Sequence, residues 1–433
     1  MKILHINTFA CNGGAARAAY RLHSGLRNLG TDSLMYVVDK ESHDPSVVQY
    51  QPPTRLRTRI SRTVRREVIL RSLRRYESSA PLGLANFSDD RSVYARDPWR
   101  SVPEHDLIHL HWIAGFVDYI AFFMSLSPGT PVVWTLHDMA PFTGGCHWNQ
   151  GCPKFAQQCG ACPQLGSHAA WDWTRRVWER KHESLAGIPS NKLHVVTPSR
   201  WLQEERKRSS LFSRFSGSTI PNGLDTDVFT PRDRQAARDV LGVPLNTRVA
   251  LFLADGVHIP RKGFHILAEA LRGIDSPQKP FLLSLGKGMP PLSDASPHLH
   301  LGPIQNDRIL SFAYSAADVF IAPSLEDNLP NTILESFACG TPVVASDVGG
   351  IPDAVRPGIT GVLAKPGDPA SLRSAILDLL SNDQMRHEMS SACRNVAVEE
   401  FSLHLQAQRY VALYQEMLNR SSAPLREPPI SVS

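Results

Sequence analysis

Apolar and polar positions along the 433 residues alternate between two kinds of block. Short runs that are almost wholly apolar include Lys2 to Asn7, Asp106 to Trp112, Pro131 to Leu136, Val249 to Ala254, Phe281 to Leu285, Val319 to Ala322 and Val343 to Ala345. Such runs predict buried strands. Between them lie stretches whose apolar positions recur at helical spacing: Ala15, Ala18, Ala19, Leu22 and Leu26 before Gly30; Phe264, Leu267, Ala268 and Leu271; and Leu334, Phe337 and Ala338 before Gly340. Strand followed by helix, repeated through both halves, predicts an α/β fold of two doubly wound, Rossmann-like domains.

The boundaries expected from this pattern are a first domain over 1–192, a second over 193–401, and a helix over 402–420 with Tyr410 and Tyr414. That helix finishes the fold, and a course back to the first domain is open to it. Residues 421–433 are rich in Pro and Ser and are expected to be disordered.

Length supports two domains, and 42% hydrophobic with 20% charged residues suits a globular α/β protein. The net charge of +5 is too mild to demand nucleic acid. The start has no secretory-signal core, and no run is apolar enough to span a membrane, so a cytoplasmic location is expected. Charge is concentrated instead: residues 55–75 hold nine arginines against one acid, Glu67, with Leu56, Ile60, Val64, Val68 and Leu73 at near-helical spacing. This basic helix suits an anionic membrane surface or a solvated face of a docked helix; few aromatics accompany it, which disfavours nucleic acid.

The candidate chemistry gathers where strands end. Gly13 and Gly14 follow the first strand, without the third glycine of the dinucleotide fingerprint. They read as a tight turn or as a backbone that lets a ligand approach. His109 and His111 share a face by period two, and His137 with Asp138 follows the next strand. Arg261 and Lys262, before Gly263, suit a diphosphate, although such a pair taken alone is more often an exposed basic loop. In the segment after Val319 to Ala322, Glu326 and Asp327 precede Pro330, which is read as the first helical residue. Asn331, Thr332 and Glu335 follow, and a helix start there is a natural anion site. Four of seven cysteines (Cys146, Cys152, Cys159, Cys162) fall within 17 residues, separated by five, six and two residues. In a reducing compartment they suit structural zinc with four thiolates, against the alternative of four unligated thiols.

Several of these stretches together resemble the retaining glycosyltransferases of family 4, with a GT-B fold whose two domains face a central cleft. They are Gly13-Gly14 with its alanine-rich helix, Ile220-Pro-Asn-Gly-Leu-Asp225, Lys262-Gly263, and Asp327 to Gly350 with Cys339-Gly-Thr-Pro-Val-Val344. Trp134-Thr-Leu-His-Asp138, Phe142-Thr-Gly-Gly-Cys146 and the cysteines look like a subgroup found in bacterial polysaccharide clusters such as that for colanic acid.

The resemblance implies that Glu335 binds the ribose of a nucleoside-diphosphate sugar and that Lys262 neutralises its diphosphate. It implies that the amides of Asn331 and Thr332 meet phosphate, that Gly13 and Gly14 admit the donor, and that His137 lies near donor sugar and acceptor. Asp327 stands where the family has a glutamate near the anomeric centre; the usual arginine is replaced by Gly256 and Val257, and Arg261 is the substitute. The implied function is transfer of a hexose, without a catalytic cofactor, to a saccharide or lipid-linked acceptor at the inner face of the bacterial inner membrane. The alternative is a weak or inactive member that binds nucleotide or glycan.

Overall fold

The computed structural model describes residues 1–127, 129–290 and 296–422, and the chain divides into two compact units. The first comprises Met1–Thr197, Gln203–Ile220 and the chain from Gln408 onward; the second comprises Pro198–Leu202 and Pro221–Ala407. The tail expected to be disordered falls, from 423, outside the described residues.

The first unit carries β1 (Lys2–Ile6), β2 (Asp32–Val37), β3 (Val47–Gln49), β4 (Leu107–Leu110), β5 (Val132–Thr135), β6 (Leu193–Thr197) and β7 (Ser216–Thr219). They form one sheet in the order β3-β2-β1-β4-β5-β6-β7, every pair parallel. Parallel strands are covered on both faces, so β4, β5 and β6 are buried at every position, as their apolar runs require. The boundary expected at 193 is displaced: β6 and β7 close the first sheet, and the second unit's main segment starts at Pro221. Period and length cannot tell which sheet a parallel strand joins.

The second unit carries β8 (Val249–Gly256), β9 (Phe281–Lys287), β10 (His298–His300), β11 (Val319–Ala322), β12 (Val343–Ser346) and β13 (Gly361–Ala364), in the order β10-β9-β8-β11-β12-β13 and again parallel. One apolar layer on this sheet includes Phe229, Tyr314, Phe320, Ile333 and Phe337; the other includes Phe252, Phe264, Leu267, Ile321 and Leu379. The helix Leu403–Ser422 contributes Tyr410 and Tyr414 to the first unit, where their hydroxyls meet Thr135 Oγ1 and His109 Nδ1, each at 2.7 Å.

In each sheet the strand order reverses direction at one point, between β1 and β4 and between β8 and β11. Loops leaving those carboxyl ends diverge to opposite faces and leave a crevice, the general ligand position in open α/β sheets.

Candidate active site

In the second unit the two loops at the reversal touch. After β8 the chain turns through Gly263, at φ 72°, into the helix Phe264–Arg272. A Cβ on Gly263 would lie 1.8 Å from the Pro323 carbonyl oxygen, so only glycine lets this loop meet the one following β11. The Leu325 amide then donates to the Arg261 carbonyl at 2.8 Å.

That contact brings the candidate cations onto Asp327. Lys262 Nζ lies 2.5 Å from Asp327 Oδ2, Arg261 Nη1 lies 3.3 Å from the same oxygen, and Ser324 Oγ donates to it at 3.2 Å. Arg261 also donates to the Glu326 carbonyl at 2.8 Å. The Asp327 backbone is pinned as well: the Gly350 amide donates to its carbonyl, and a Cβ on Gly349 would strike that oxygen. Burial raises the Asp327 carboxyl, but Lys262 and Arg261 together outweigh it and hold the group below its ordinary value. Burial lowers Lys262, and Asp327 works against that shift. Asp327 is thus the buried partner of both cations.

The neighbouring helix, Asn331–Ala338, has Pro330 as its N-cap with ψ 125°, one position earlier than the sequence reading places it. A proline cap offers no side-chain acceptor to the first turn. Glu335 is 2% exposed, and its Oε2 accepts from the Tyr314 hydroxyl at 2.9 Å. Asn331 Oδ1 accepts from Asn222 Nδ2 at 3.0 Å, and Ser199 Oγ donates to Asn328 Oδ1 at 2.5 Å. Thr332 is half-buried in the first turn. The sequence reading assigns no role to Tyr314, Asn222 or Ser199. Only for Asn222, inside the Pro-Asn-Gly turn, is there a signal that points to its place.

In the first unit, Gly13 at φ 87° caps the helix Gly14–Asn28 without a side-chain bond, and Gly14 is exposed. No atom stands within 4 Å of where a Gly13 Cβ would be, so its φ and not crowding calls for glycine. His137 follows β5 and stacks on His111 at 5.6 Å, with His111 Nδ1 3.4 Å from His137 Nε2. His111 Nε2 in turn meets His5 Nδ1 at 2.9 Å, and the rings of His109 and His111 lie 4.0 Å apart on their shared face. Asp138 accepts from Ala140 N and Trp112 Nε1.

Among the described residues, His5, His109 and His111 are the one set of three His, Cys, Asp or Glu groups whose ligand atoms close to within 4.8 Å. His109 bonds Tyr414 and Thr135, and His111 bonds His5 and His137, so a hydrogen-bonded chain accounts for these rings without an ion. The four clustered cysteines line a separate small cavity.

Burial pushes His23, His137 and His194 down to about 4, and lowers His5, His109 and His111 well below the usual range. All six belong to the first unit. The unfolded chain takes up protons near pH 6.5 while the folded unit refuses them, so stability is full above about pH 7 and is lost as pH falls toward 4. Each such histidine contributes about 1.4 kcal/mol of loss per pH unit over that window. Melting curves at pH 7.5 and 5.5 are expected to show a marked drop in Tm at the lower pH; equal values would contradict the buried neutral rings.

Comparison with known proteins agrees with this architecture. A family model described as Glycosyltransferase Family 4 matches residues 12–228, and one described as Glycosyl transferases group 1 matches residues 247–382. Curated relatives include a D-inositol 3-phosphate glycosyltransferase of Geodermatophilus obscurus, 35% identical over 219 residues, covering 45% of this chain and 46% of the relative. Another, of Thermobispora bispora, is 27% identical over 340 residues, covering 73% of this chain and 72% of the relative. The chain therefore spans about half of the first relative's length and under three quarters of the second's.

Among solved structures, sucrose-phosphate synthase from Thermosynechococcus elongatus superposes with TM-score 0.65 at 20% identity, covering 97% of this chain and 100% of that one. Anabaena HepE in complex with UDP-glucose does so with TM-score 0.64 at 18% identity, covering 96% and 100%. Two parallel-sheet Rossmann-like units that match GT-B neighbours, and a family model that spans half of the residues, lead to one assignment: the chain belongs to glycosyltransferase family 4.

Proposed function

We propose that the protein is a retaining glycosyltransferase that moves a hexose from a nucleoside-diphosphate sugar to a saccharide acceptor, lipid-linked, in bacterial exopolysaccharide or O-antigen synthesis. The observation that carries this reading is the set of Lys262, Arg261 and Asp327 just before the helix that starts at Asn331, with buried Glu335 one turn further in. As the bond between sugar and diphosphate breaks, negative charge grows on the leaving phosphate. Lys262, Arg261 and the amides of Asn331 and Thr332 meet that charge where it develops, which makes the chemistry metal-independent. Glu335 accepts hydrogen bonds from the ribose hydroxyls, held in its rotamer by Tyr314.

Asp327 keeps the two cations oriented and lies nearest the sugar side of the phosphates. The acceptor hydroxyl attacks from the face the phosphate leaves, and its proton passes to the departing phosphate oxygen. Gly13 and Gly14 leave backbone room for the donor. His137, neutral at pH 7, hydrogen-bonds a sugar hydroxyl.

The same reading puts the enzyme on the inner face of the inner membrane. In the helix Leu56–Arg74, Leu56, Ile60, Val64 and Val68 are 71%, 55%, 58% and 55% exposed and follow one another at i, i+4 spacing, with Arg57, Arg59 and Arg66 alongside. The opposite side is docked through Arg65, whose Nη2 lies 2.6 Å from Asp118 Oδ2. An apolar stripe edged by arginines suits an anionic surface, each arginine adding about 1 kcal/mol. Among the described residues no helix is long and apolar enough to cross a membrane. Sedimentation with vesicles is expected to carry the protein down with anionic lipid and to leave it in solution with neutral lipid; equal weak binding to both removes the membrane role.

Turnover tests the main proposal. A panel of sugar nucleotides with bacterial lipid extract as acceptor is expected to release nucleoside diphosphate and a glycosylated lipid. A second acceptor, D-inositol 3-phosphate, belongs in the same panel because the curated relatives are named for it. Binding of nucleotide with no turnover on any acceptor would favour an inactive member that only binds nucleotide or glycan.

A further inference from the structure

Residues 143–172 contain no α-helix and no strand, only the 3-10 turns Lys154–Ala156 and Pro163–Leu165. A segment of that length without a regular backbone ladder needs another source of order. Its four cysteines all line one cavity of about 20 Å³, and none forms a disulfide. Three turns of chain supply them: Cys146 after Gly144 and Gly145, Cys152, and the pair Cys159 and Cys162.

The backbone holds this turn in place. The Gly144 amide donates to Cys159 Sγ at 3.1 Å, and the amides of Leu165 and Ser167 donate to the Cys162 carbonyl at 3.2 and 3.0 Å. Cys159 and Cys162 flank a left-handed turn, with Gly160 at φ 139° and Ala161 at φ 42°. A Cβ on Gly160 would meet the Ala170 carbonyl at 2.3 Å, and Ala161 holds a conformation that costs a non-glycine residue about 1 kcal/mol or more. Such strain persists where the surroundings over-determine the turn, and a two-residue spacing there turns both sulfurs to one side.

Lys154 lines the same cavity, and a second ammonium group, that of Lys181, lies near two of its cysteines. Lys181, 1% exposed, donates to the carbonyls of Ala140 and Thr143 and faces Cys159 and Cys146; its carboxylate neighbour, Asp90, is taken up by Arg180. Lys154 donates to the carbonyls of Gly160 and Ala161. A divalent ion in four thiolates is a dianion, and two lysines neutralise it.

We infer that Cys146, Cys152, Cys159 and Cys162 bind one zinc ion as a closed structural site that orders residues 143–172, a role separate from sugar transfer. Zinc is the ion that suits four thiolates with no open position. No three of the four sulfurs close to within 4.8 Å of one another, so the proposal requires them to move inward on binding, toward the ~2.3 Å of a zinc–thiolate bond.

Elemental analysis of the full chain purified without chelator is expected to find about one zinc per chain. A mercurial reagent should release that zinc and lower Tm, and refolding with cobalt in place of zinc should give the visible bands of a tetrahedral thiolate complex. Cys159→Ser and Cys162→Ser should each lose the metal, whereas Cys393→Ser, in the second unit, should retain it. If the first two variants fail to fold, the mercurial and cobalt results on the unaltered chain decide. Zinc at background, an equivalent of iron instead, or disulfides among the four in freshly purified protein each overturn the assignment. None of these results depends on whether the protein transfers a sugar.

Discussion

Replacing Lys262 by alanine is expected to lower kcat/KM for the sugar-nucleotide donor by about 100- to 1000-fold, the range seen when one donor to a developing charge is removed from a water-poor site. The loss should fall mainly on kcat, because the charge on the leaving phosphate is greater in the transition state than in the bound donor. Lys262 is held by Asp327 at 2.5 Å, so the substitution also changes what Asp327 touches: Arg261, at 3.3 Å, remains its one cationic partner in the site. Asp327→Asn separates the roles. If Asp327 acts only by holding the cations, its substitution costs less in the Lys262→Ala background than in the unaltered enzyme, since only Arg261 is left to hold and residues of one network are not additive. If Asp327 also contacts the reacting sugar, its substitution costs about as much in either background. Single-turnover kinetics with a saturating acceptor would read both effects, and an unchanged kcat for Lys262→Ala would sink the phosphate role.

Glu335→Gln is the second large effect, and it should appear in the opposite parameter. A ribose hydroxyl bonded to a buried carboxylate contributes about 1.5–3 kcal/mol, so the donor KM should rise about 10- to 100-fold with kcat little changed. Glutamine keeps the size of the side chain and an acceptor for Tyr314, which limits the loss of folding stability. Tyr314→Phe should raise the same KM by a smaller factor, because it removes what orients Glu335 and leaves the carboxylate in place. An unaltered donor KM for Glu335→Gln would refute the ribose assignment.

Much of this site was legible before any coordinates. Strands β1, β4, β5, β8, β9, β11 and β12 are apolar runs that end in polar or glycine residues, and a doubly wound fold puts the ends of such strands to use. The strands left out of the sequence reading, β2, β3, β7, β10 and β13, are short, partly polar or near a sheet edge, where burial imposes less pattern. The sequence reading names Lys262, Asp327 and Glu335, but not their partnerships. The approach of Lys262 to Asp327 depends on Gly263 meeting Pro323, and that of Tyr314 to Glu335 on two helices packed on one sheet face; neither leaves a trace in spacing. The spacing of the basic helix reads as amphipathic, yet which side faces solvent is set by contacts from distant segments: Arg65 with Asp118 and Ser92, and Ser72 with Arg91 and Trp173.

The return of residues 408–422 to the first unit bears on how the protein is made. A ribosome delivers His109 and Thr135 early and their hydroxyl partners, Tyr414 and Tyr410, only after the whole second unit has been synthesised. At about 5–20 residues per second that interval is roughly fifteen to sixty seconds. Throughout it, the sheet of the first unit lacks part of its cover and two of its buried hydrogen bonds. A nascent chain in that condition is a client for chaperones, and a fragment ending at Ile220 should be prone to aggregate however well its own strands pair.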